Sequence, residues 1–132
     1  MSAEVVRSIV DANAYMTLAT ADDREFVWVS APQARHSRNL ARRPDLAIVI
    51  FDSRQPPGTG EAVYLSARAE QVLEPELDRC LRIFSAESQE QGLAAWKRAD
   101  VEPPGRLRLY HAIATEHFVL SAGDERVSVV MP

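Results

Sequence analysis

The sequence is poor in cysteine, lysine and long apolar runs, and each shortage excludes a class of protein. Its 132 residues contain one cysteine, Cys80, which excludes an internal disulfide and a cysteine-based zinc site. The longest unbroken apolar run, LAIVIF at 46–51, has six residues and is far too short to span a membrane. The first ten residues also lack the apolar core of a signal peptide, so we expect a cytoplasmic protein without membrane contacts.

Common binding and catalytic motifs are also missing. The three histidines have no metal-ligand spacing, and the glycines form neither a dinucleotide-binding nor a P-loop pattern, so no metal site is predicted. The formal net charge of −4 argues against a general nucleic-acid surface. Composition is that of an ordinary globular chain, 46% apolar and 26% charged, and its length predicts a single domain over 1–132.

Apolar periodicity and turn signals divide the chain into strands and short helices. The predicted helices cover 3–12, 34–43 and the residues after Pro75, the last with a buried stripe of Leu77, Cys80, Leu81 and Phe84. The predicted strands cover 14–21, 25–30, 46–51, 62–73, one or two stretches within 106–120, and 126–130. The run at 46–51 is apolar on both faces and predicts a central, buried strand, while the polar stretch 85–105 predicts an excursion. The fold class that follows is mainly β, a small antiparallel barrel with short helices.

The stretch APQARHSRNLARRP, 31–44, concentrates positive charge between two strands of an acidic chain. Arginines, a histidine and small polar residues at the start of a short helix suit a phosphate, because free backbone N–H groups and the helix dipole also favour an anion there. The candidates are Ser30, Arg35, His36, Ser37, Arg38 and Asn39. Charge alone favours another interpretation, a solvated helix whose arginines pair with nearby carboxylates.

Four segments in order resemble the pyridoxamine 5'-phosphate oxidase-like family, the FMN-binding split β-barrels. They are YMTLATAD, WVSAPQARHSRNLARRPDLAIVIFDS, AVYLSARAEQVLEPELDRCLRIF and LYHAIATEHFVL, which together cover most of the chain. The resemblance implies an antiparallel Greek-key split barrel that forms a homodimer and binds FMN in a cleft between two barrels. No nucleic-acid or membrane partner is implied.

The resemblance also implies which residues hold the cofactor. Ser30 matches the strand-end hydroxyl and Arg35 the arginine that hold the flavin phosphate, and His36 stands where a lysine is common. Val29, Ser37, Arg38 and Asn39 complete the cofactor-binding set that we infer from this match.

The sequence departs from the family at three places. Ala62 stands where a glutamine often contacts the flavin, and Phe118 where a tryptophan is frequent. The chain also passes from Asp23 to Arg24 without the strand that relatives have before the one ending in Ser30. Either residues are missing there from the chain, or a real deletion has degraded the cofactor site.

The resemblance implies a flavin-dependent oxidoreductase with a small-molecule substrate, in which FMN does most of the chemistry. No side chain stands out as a catalytic acid or base. Two alternatives remain. The first is an F420-dependent reductase of the same fold, whose longer anionic tail Arg42 and Arg43 could reach. The second is a non-catalytic flavin-binding, haem-binding or sensor barrel.

Overall fold

The computed structural model describes residues 3, 4, 6, 19, 20, 23–51, 62–120 and 125–132. Residues 3, 4 and 6 are helical, as predicted, and the rest of the predicted first helix and most of the first strand lie outside the described residues. The strands are β1 (Ala19–Thr20), β2 (Glu25–Ser30), β3 (Asp45–Phe51), β4 (Ala62–Gln71), β5 (Arg108–Leu120) and β6 (Arg126–Val129). The helices are α1 (Arg35–Arg42), α2 (Leu77–Glu90) and a 3-10 turn at Arg98–Asp100.

All six strands form one antiparallel sheet organised around β5. The order is β1-β2-β5-β4-β3, and β6 pairs with the end of β5 that β2 leaves free. The sequence allowed one or two strands within 106–120, and the structure has a single long strand there, β5. The sheet curls into a half-barrel with two helices, so the predicted split β-barrel fold is confirmed.

The sheet has an apolar cluster on each face. The inner face carries the larger cluster, built from alternate residues of β3, β4 and β5 with Phe26, Ile48 and Leu65 among them. On the outer face α2 packs its predicted stripe, Leu77, Cys80, Leu81 and Phe84, against Val27 and Leu109. Because successive residues of a strand point to opposite faces, β2 contributes to both clusters.

The prediction of a central, buried strand at 46–51 is wrong. In the described part of the chain β3 pairs only with β4 and forms the edge of the sheet. Ile48 and Ile50 are buried, whereas Val49 and Phe51 keep 41% and 55% of their surface exposed. The run is unbroken because the outer face of β3 is also apolar, although it is exposed. Composition alone cannot distinguish such a strand from one that is buried on both faces.

Segments after β4 also differ from the predictions. β4 ends at Gln71, and α2 continues to Glu90 into the stretch predicted as an excursion. The rest of that stretch packs on α2, because Val101 is buried and Trp96 lies edge-on to Phe84 with ring centroids 5.3 Å apart. None of the helices among the described residues is long and apolar enough to cross a membrane.

The start of the sheet bears on the departure at Asp23 and Arg24. Ala19 pairs with Val27 and Thr20 with Phe26, so β1 and β2 are direct antiparallel neighbours. The additional strand implied by the family resemblance is thus not between them in this chain.

Candidate functional site

The basic segment forms the turn and helix that follow β2. Four residues separate the end of β2 at Ser30 from α1, which begins at Arg35 and stops at Arg42, with Pro44 beyond it as predicted. Ala34 at the N-cap gives no side-chain hydrogen bond to the first turn. The first N–H groups of any helix have no partner within the helix, so this end of α1 favours an anion.

Ser30, His36 and Ser37 form a hydrogen-bonded chain at this helix end. The Ser37 hydroxyl donates to Ser30 Oγ over 3.2 Å, and Ser30 Oγ lies 2.7 Å from Nε2 of His36. Both serines are buried, whereas His36 is exposed. The structure therefore joins the strand-end hydroxyl to two residues of the basic segment, as a shared phosphate site requires.

The arginines of α1 lack the carboxylate partners that three other arginines of the described structure have. Within the described ranges, no carboxylate pairs with Arg35, Arg38, Arg42 or Arg43. In contrast, the ion pairs of Arg68, Arg79 and Arg98 engage nearby Asp and Glu residues. The alternative interpretation expected these arginines to be solvated and to pair with nearby carboxylates. They are exposed, but the described residues provide no such pairs, so their charge remains available to an anion.

Not every predicted site residue contributes a side chain. Val29 packs with the outer cluster under α2, on the sheet face opposite that of Ser30, so only its backbone is left to contact a ligand at Ser30. Arg35, Arg38 and Asn39 are exposed on α1. The described structure thus brings Ser30, His36 and Ser37 into contact, with the two arginines and Asn39 around them on the surface.

A cleft of about 350 Å³ adjoins Ser37 and Arg38. Its walls come from α1 and from the ends of β4 and β5, and include Pro32, Leu40, Pro44, Ala69, Gln71 and Tyr110. Tyr110 stacks on Trp28 with ring centroids 5.9 Å apart, and this aromatic pair lies on the inner face of the sheet beside the cleft. The volume is within the range of small-molecule sites, and the cleft has an apolar wall and polar edges that carry one cation, Arg38, and one carboxylate, Glu70.

Sequence reasoning missed the cleft-lining residues Gln71 and Tyr110. They become neighbours because β5 pairs with both β2 and β4, so that Tyr110 lies opposite Trp28 on one side and Gln71 on the other. The only available signal was the aromatic residue in the strand-like text at 108–112.

Ala62 and Phe118, the two departures at expected flavin contacts, lie far from this cleft. Ser30 pairs with Arg108, and Phe118 is ten residues further along β5. That separation corresponds to about 33 Å of extended strand. Ala62 lies at the same distant end, where β4 begins. Within one chain these positions and the helix end cannot contact one small ligand unless the curl of the sheet brings them much closer.

Comparison with solved structures gives the same fold. No protein-family model matches the chain, and no curated protein matches it. A haem-binding protein from Mycobacterium smegmatis superposes with a TM-score of 0.71 and 16% identity, over 97% of this chain and 57% of that one. The chain thus spans little more than half of that protein.

Two further structures extend the comparison. A protein described as a pyridoxamine 5'-phosphate oxidase from Listeria innocua gives a TM-score of 0.62 at 14% identity, over 89% of this chain and 96% of that one. A protein described as a 5-nitroimidazole antibiotic resistance protein from Bacteroides thetaiotaomicron gives 0.64 at 11% identity, covering 89% and 82%. The chain has the split-barrel fold of pyridoxamine 5'-phosphate oxidase-like proteins, as the four sequence segments predicted.

Proposed function

We propose that this protein binds FMN, with the cofactor phosphate at the start of α1, and acts as an oxidoreductase on a small molecule. The observation that carries the proposal is the chain of Ser37, Ser30 and His36, beside arginines that have no carboxylate partner among the described residues. Charge-assisted hydrogen bonds from guanidinium to phosphate are among the strongest polar contacts in proteins. Bound flavin would supply the redox chemistry, and the chain would hold and orient it.

Cofactor titration with matched arginine variants tests this proposal. Arg35→Ala should raise the Kd of FMN by about 10- to 150-fold, since a hydrogen bond to a charged group contributes about 1.5–3 kcal/mol. Arg43→Ala is the control, because Arg43 follows the end of α1 and should leave the Kd unchanged. Equal affinity in the native protein and the Arg35→Ala variant would contradict the phosphate site.

The proposal includes a homodimer, because within one chain the phosphate end of the site and the expected flavin-contact position Phe118 are about 33 Å apart along β5. Phe118 in a partner could reach the flavin ring of a cofactor held at Ser30 of the first protomer. The outer face also offers a surface for such a partner. α2 covers one end of it, and among the described residues Val49, Phe51, Tyr64 and Phe118 lie at the other, with Val49 and Phe51 exposed.

F420 is the second candidate, and it is favoured by Arg42 and Arg43. These arginines have no carboxylate partner in the described structure and lie one to two turns beyond Arg35, where a longer anionic tail could extend. With F420 as the ligand, Arg42→Ala and Arg43→Ala would weaken binding as well as Arg35→Ala. FMN would then bind poorly.

A non-catalytic haem-binding role is the third candidate, favoured by the fold shared with a haem-binding protein. His111 and His117 are buried, which leaves exposed His36 as the histidine best placed to reach a haem iron. A Soret band that shifts in His36→Ala, with no uptake of flavin, would support this role over the oxidoreductase.

A further inference from the structure

A second group of chemically active side chains lies on the other face of the sheet, under α2. Glu25, Cys80 and His111 each direct one ligand-type atom to a common point, and these atoms all lie within 4.8 Å of one another. Nδ1 of His111 is 3.3 Å from Oε2 of Glu25 and 4.0 Å from Sγ of Cys80. All three residues are buried, and the proposed flavin site uses none of them.

The fold assembles this cluster from three distant segments. β2 pairs with β5 so that His111 lies opposite Val27, and strand alternation then places Glu25 and His111 on the same outer face. α2 packs on that face with Cys80 in its stripe of buried residues. The three side chains therefore converge through strand register and helix packing.

The donor set is one that zinc uses in proteins. Thiolate sulfur, imidazole nitrogen and carboxylate oxygen bind Zn²⁺ at about 2.0–2.3 Å, which in a tetrahedron places neighbouring ligand atoms about 3.3–3.8 Å apart. The Glu25–His111 separation of 3.3 Å falls in that range, and the Cys80–His111 separation of 4.0 Å is slightly longer. Small side-chain rotations would bring the atoms to coordination distance.

The groups behind these ligands also resemble the outer shell of a metal site. Nε2 of His111 lies 3.5 Å from a carboxylate oxygen of Glu70, so the ring can present Nδ1 to a metal and keep its proton on the far nitrogen. Arg79 donates to both carboxylate oxygens of Glu25, over 2.6 and 2.9 Å, which fixes the orientation of that carboxylate.

The charges beside the cluster are compatible with a cation. Arg79 pairs with Glu25 and Glu76, and the carboxylate of Glu70 lies on the far side of the imidazole. Glu70 is 78% exposed and screened by water, so the positions of the three ligand atoms are the stronger observation.

We propose that Glu25 Oε2, Cys80 Sγ and His111 Nδ1 form a binding site for a zinc-class divalent metal, with water in the fourth position. Binding displaces the thiol proton to solvent and moves the imidazole proton from Nδ1 to Nε2, so metal uptake releases one proton. The sequence predicted no metal site, because the chain has a single cysteine and its three histidines lack metal-ligand spacing. The mixed ligand set becomes visible only in the folded chain.

Cobalt titration of the chelator-treated full-length protein tests the proposal directly. Because Cys80 is the one cysteine of the chain, a thiolate-to-cobalt charge-transfer band can come from no other residue. We expect one Co²⁺ per chain, that band in the near ultraviolet, and complete displacement by Zn²⁺. Failure to take up one equivalent with this band overturns the proposal.

Variants separate the three ligands from surface binding. Cys80→Ser should abolish the charge-transfer band, and Glu70→Gln should weaken uptake about 10- to 100-fold, as loss of an outer-shell partner does. Glu116→Gln, an exposed carboxylate of β5, and His36→Gln are matched controls and should bind as the native protein does. Circular dichroism establishes that each variant is folded. If Cys80→Ser does not fold, two measurements still test the site: the charge-transfer band of the native protein, and the cobalt affinities of Glu70→Gln and Glu116→Gln. Equal affinities of these two variants would contradict the role of Glu70 behind His111.

Discussion

The hydroxyl of Ser30 lies 2.7 Å from Nε2 of His36 and also accepts a hydrogen bond from Ser37. When the imidazole is neutral and accepts at Nε2, the Ser30 proton points to His36 and none is left for a ligand. When the imidazole is charged, Nε2 donates to Ser30, and the Ser30 proton is free to bond a phosphate oxygen. The direction of the hydrogen bonds at the proposed phosphate site is therefore set by His36, because Nε2 donates to Ser30 when it carries a proton and accepts from Ser30 when it does not.

This relationship predicts that FMN affinity depends on which side chain faces Ser30 from position 36. His36→Lys can only donate to Ser30, which leaves the Ser30 proton for a phosphate oxygen, so this variant should bind FMN at least as tightly as the native protein. His36→Glu can accept from Ser30 and adds a negative charge beside the phosphate, so it should raise the Kd of FMN by about 10-fold or more.

Fluorescence titrations of FMN at one neutral pH measure the three affinities. Equal Kd values for the native protein, His36→Lys and His36→Glu would mean that His36 does not control Ser30.

From the exposed apolar residues of the outer face we predict a dimer, and one charged side chain introduced there should dissociate it. Val49 is 41% exposed on edge strand β3, near Phe51. Val49→Arg should convert a dimer to a monomer while changing the urea midpoint of the monomer little, because the side chain does not contribute to the inner core. Leu73→Arg is the control, since Leu73 is 67% exposed beyond the end of β4 and outside this face.

Sedimentation velocity of the two variants and the native protein measures the effect. A native protein that sediments as a monomer would contradict the dimer, and so would a Val49→Arg protein that remains dimeric.

The fold could be predicted where local signals act over a few residues. Pro44 and the charged stretch before it defined α1, and the spacing of Leu77, Cys80, Leu81 and Phe84 defined the buried face of α2. The edge position of β3 could not be predicted, because an apolar run does not reveal which neighbours a strand will have. Pairing partners are set by contacts between distant segments.

The candidate site shows the same difference between local contacts and contacts of distant segments. Ser30, His36 and Ser37 are close in sequence, and their contact followed from a strand end and a helix start. Gln71, Tyr110 and the cluster of Glu25, Cys80 and His111 depend on how β2, β4, β5 and α2 meet. A sequence pattern holds no information on that register.

The packing of Trp96 on α2 predicts that the segment after the helix contributes to stability. Its ring lies edge-on to Phe84, and its backbone N–H donates to Ser85 Oγ over 2.9 Å. Trp96→Ala should lower the free energy of unfolding by about 2 kcal/mol, through lost burial and a lost aromatic pair. Leu93→Ala, at a side chain 60% exposed, should cost less than about 0.5 kcal/mol. Urea unfolding followed by circular dichroism compares them, and equal midpoints would show that Trp96 does not stabilise the fold.

The pairing of Glu25 with Arg79 predicts a loss of stability in acid. Hydrogen bonds from Arg79, and then from His111, hold the pKa of Glu25 below its usual 4.5 against the opposing effect of burial. The folded protein therefore binds this proton less tightly than the unfolded chain, so the stabilisation is present above pH 4.5 and is lost as pH falls through the lowered pKa. Glu25→Gln should remove on the order of 1–3 kcal/mol at neutral pH, with Arg79 partly solvated and still able to pair with Glu76. Urea unfolding of both proteins with a chelator present, from pH 3 to 7, should show a constant difference in the free energy of unfolding above about pH 5.5 that shrinks below pH 4.5. Glu90→Gln at the exposed end of α2 controls for the loss of one charge. A difference between native protein and Glu25→Gln that does not change with pH would mean that the ion pair does not supply this stability.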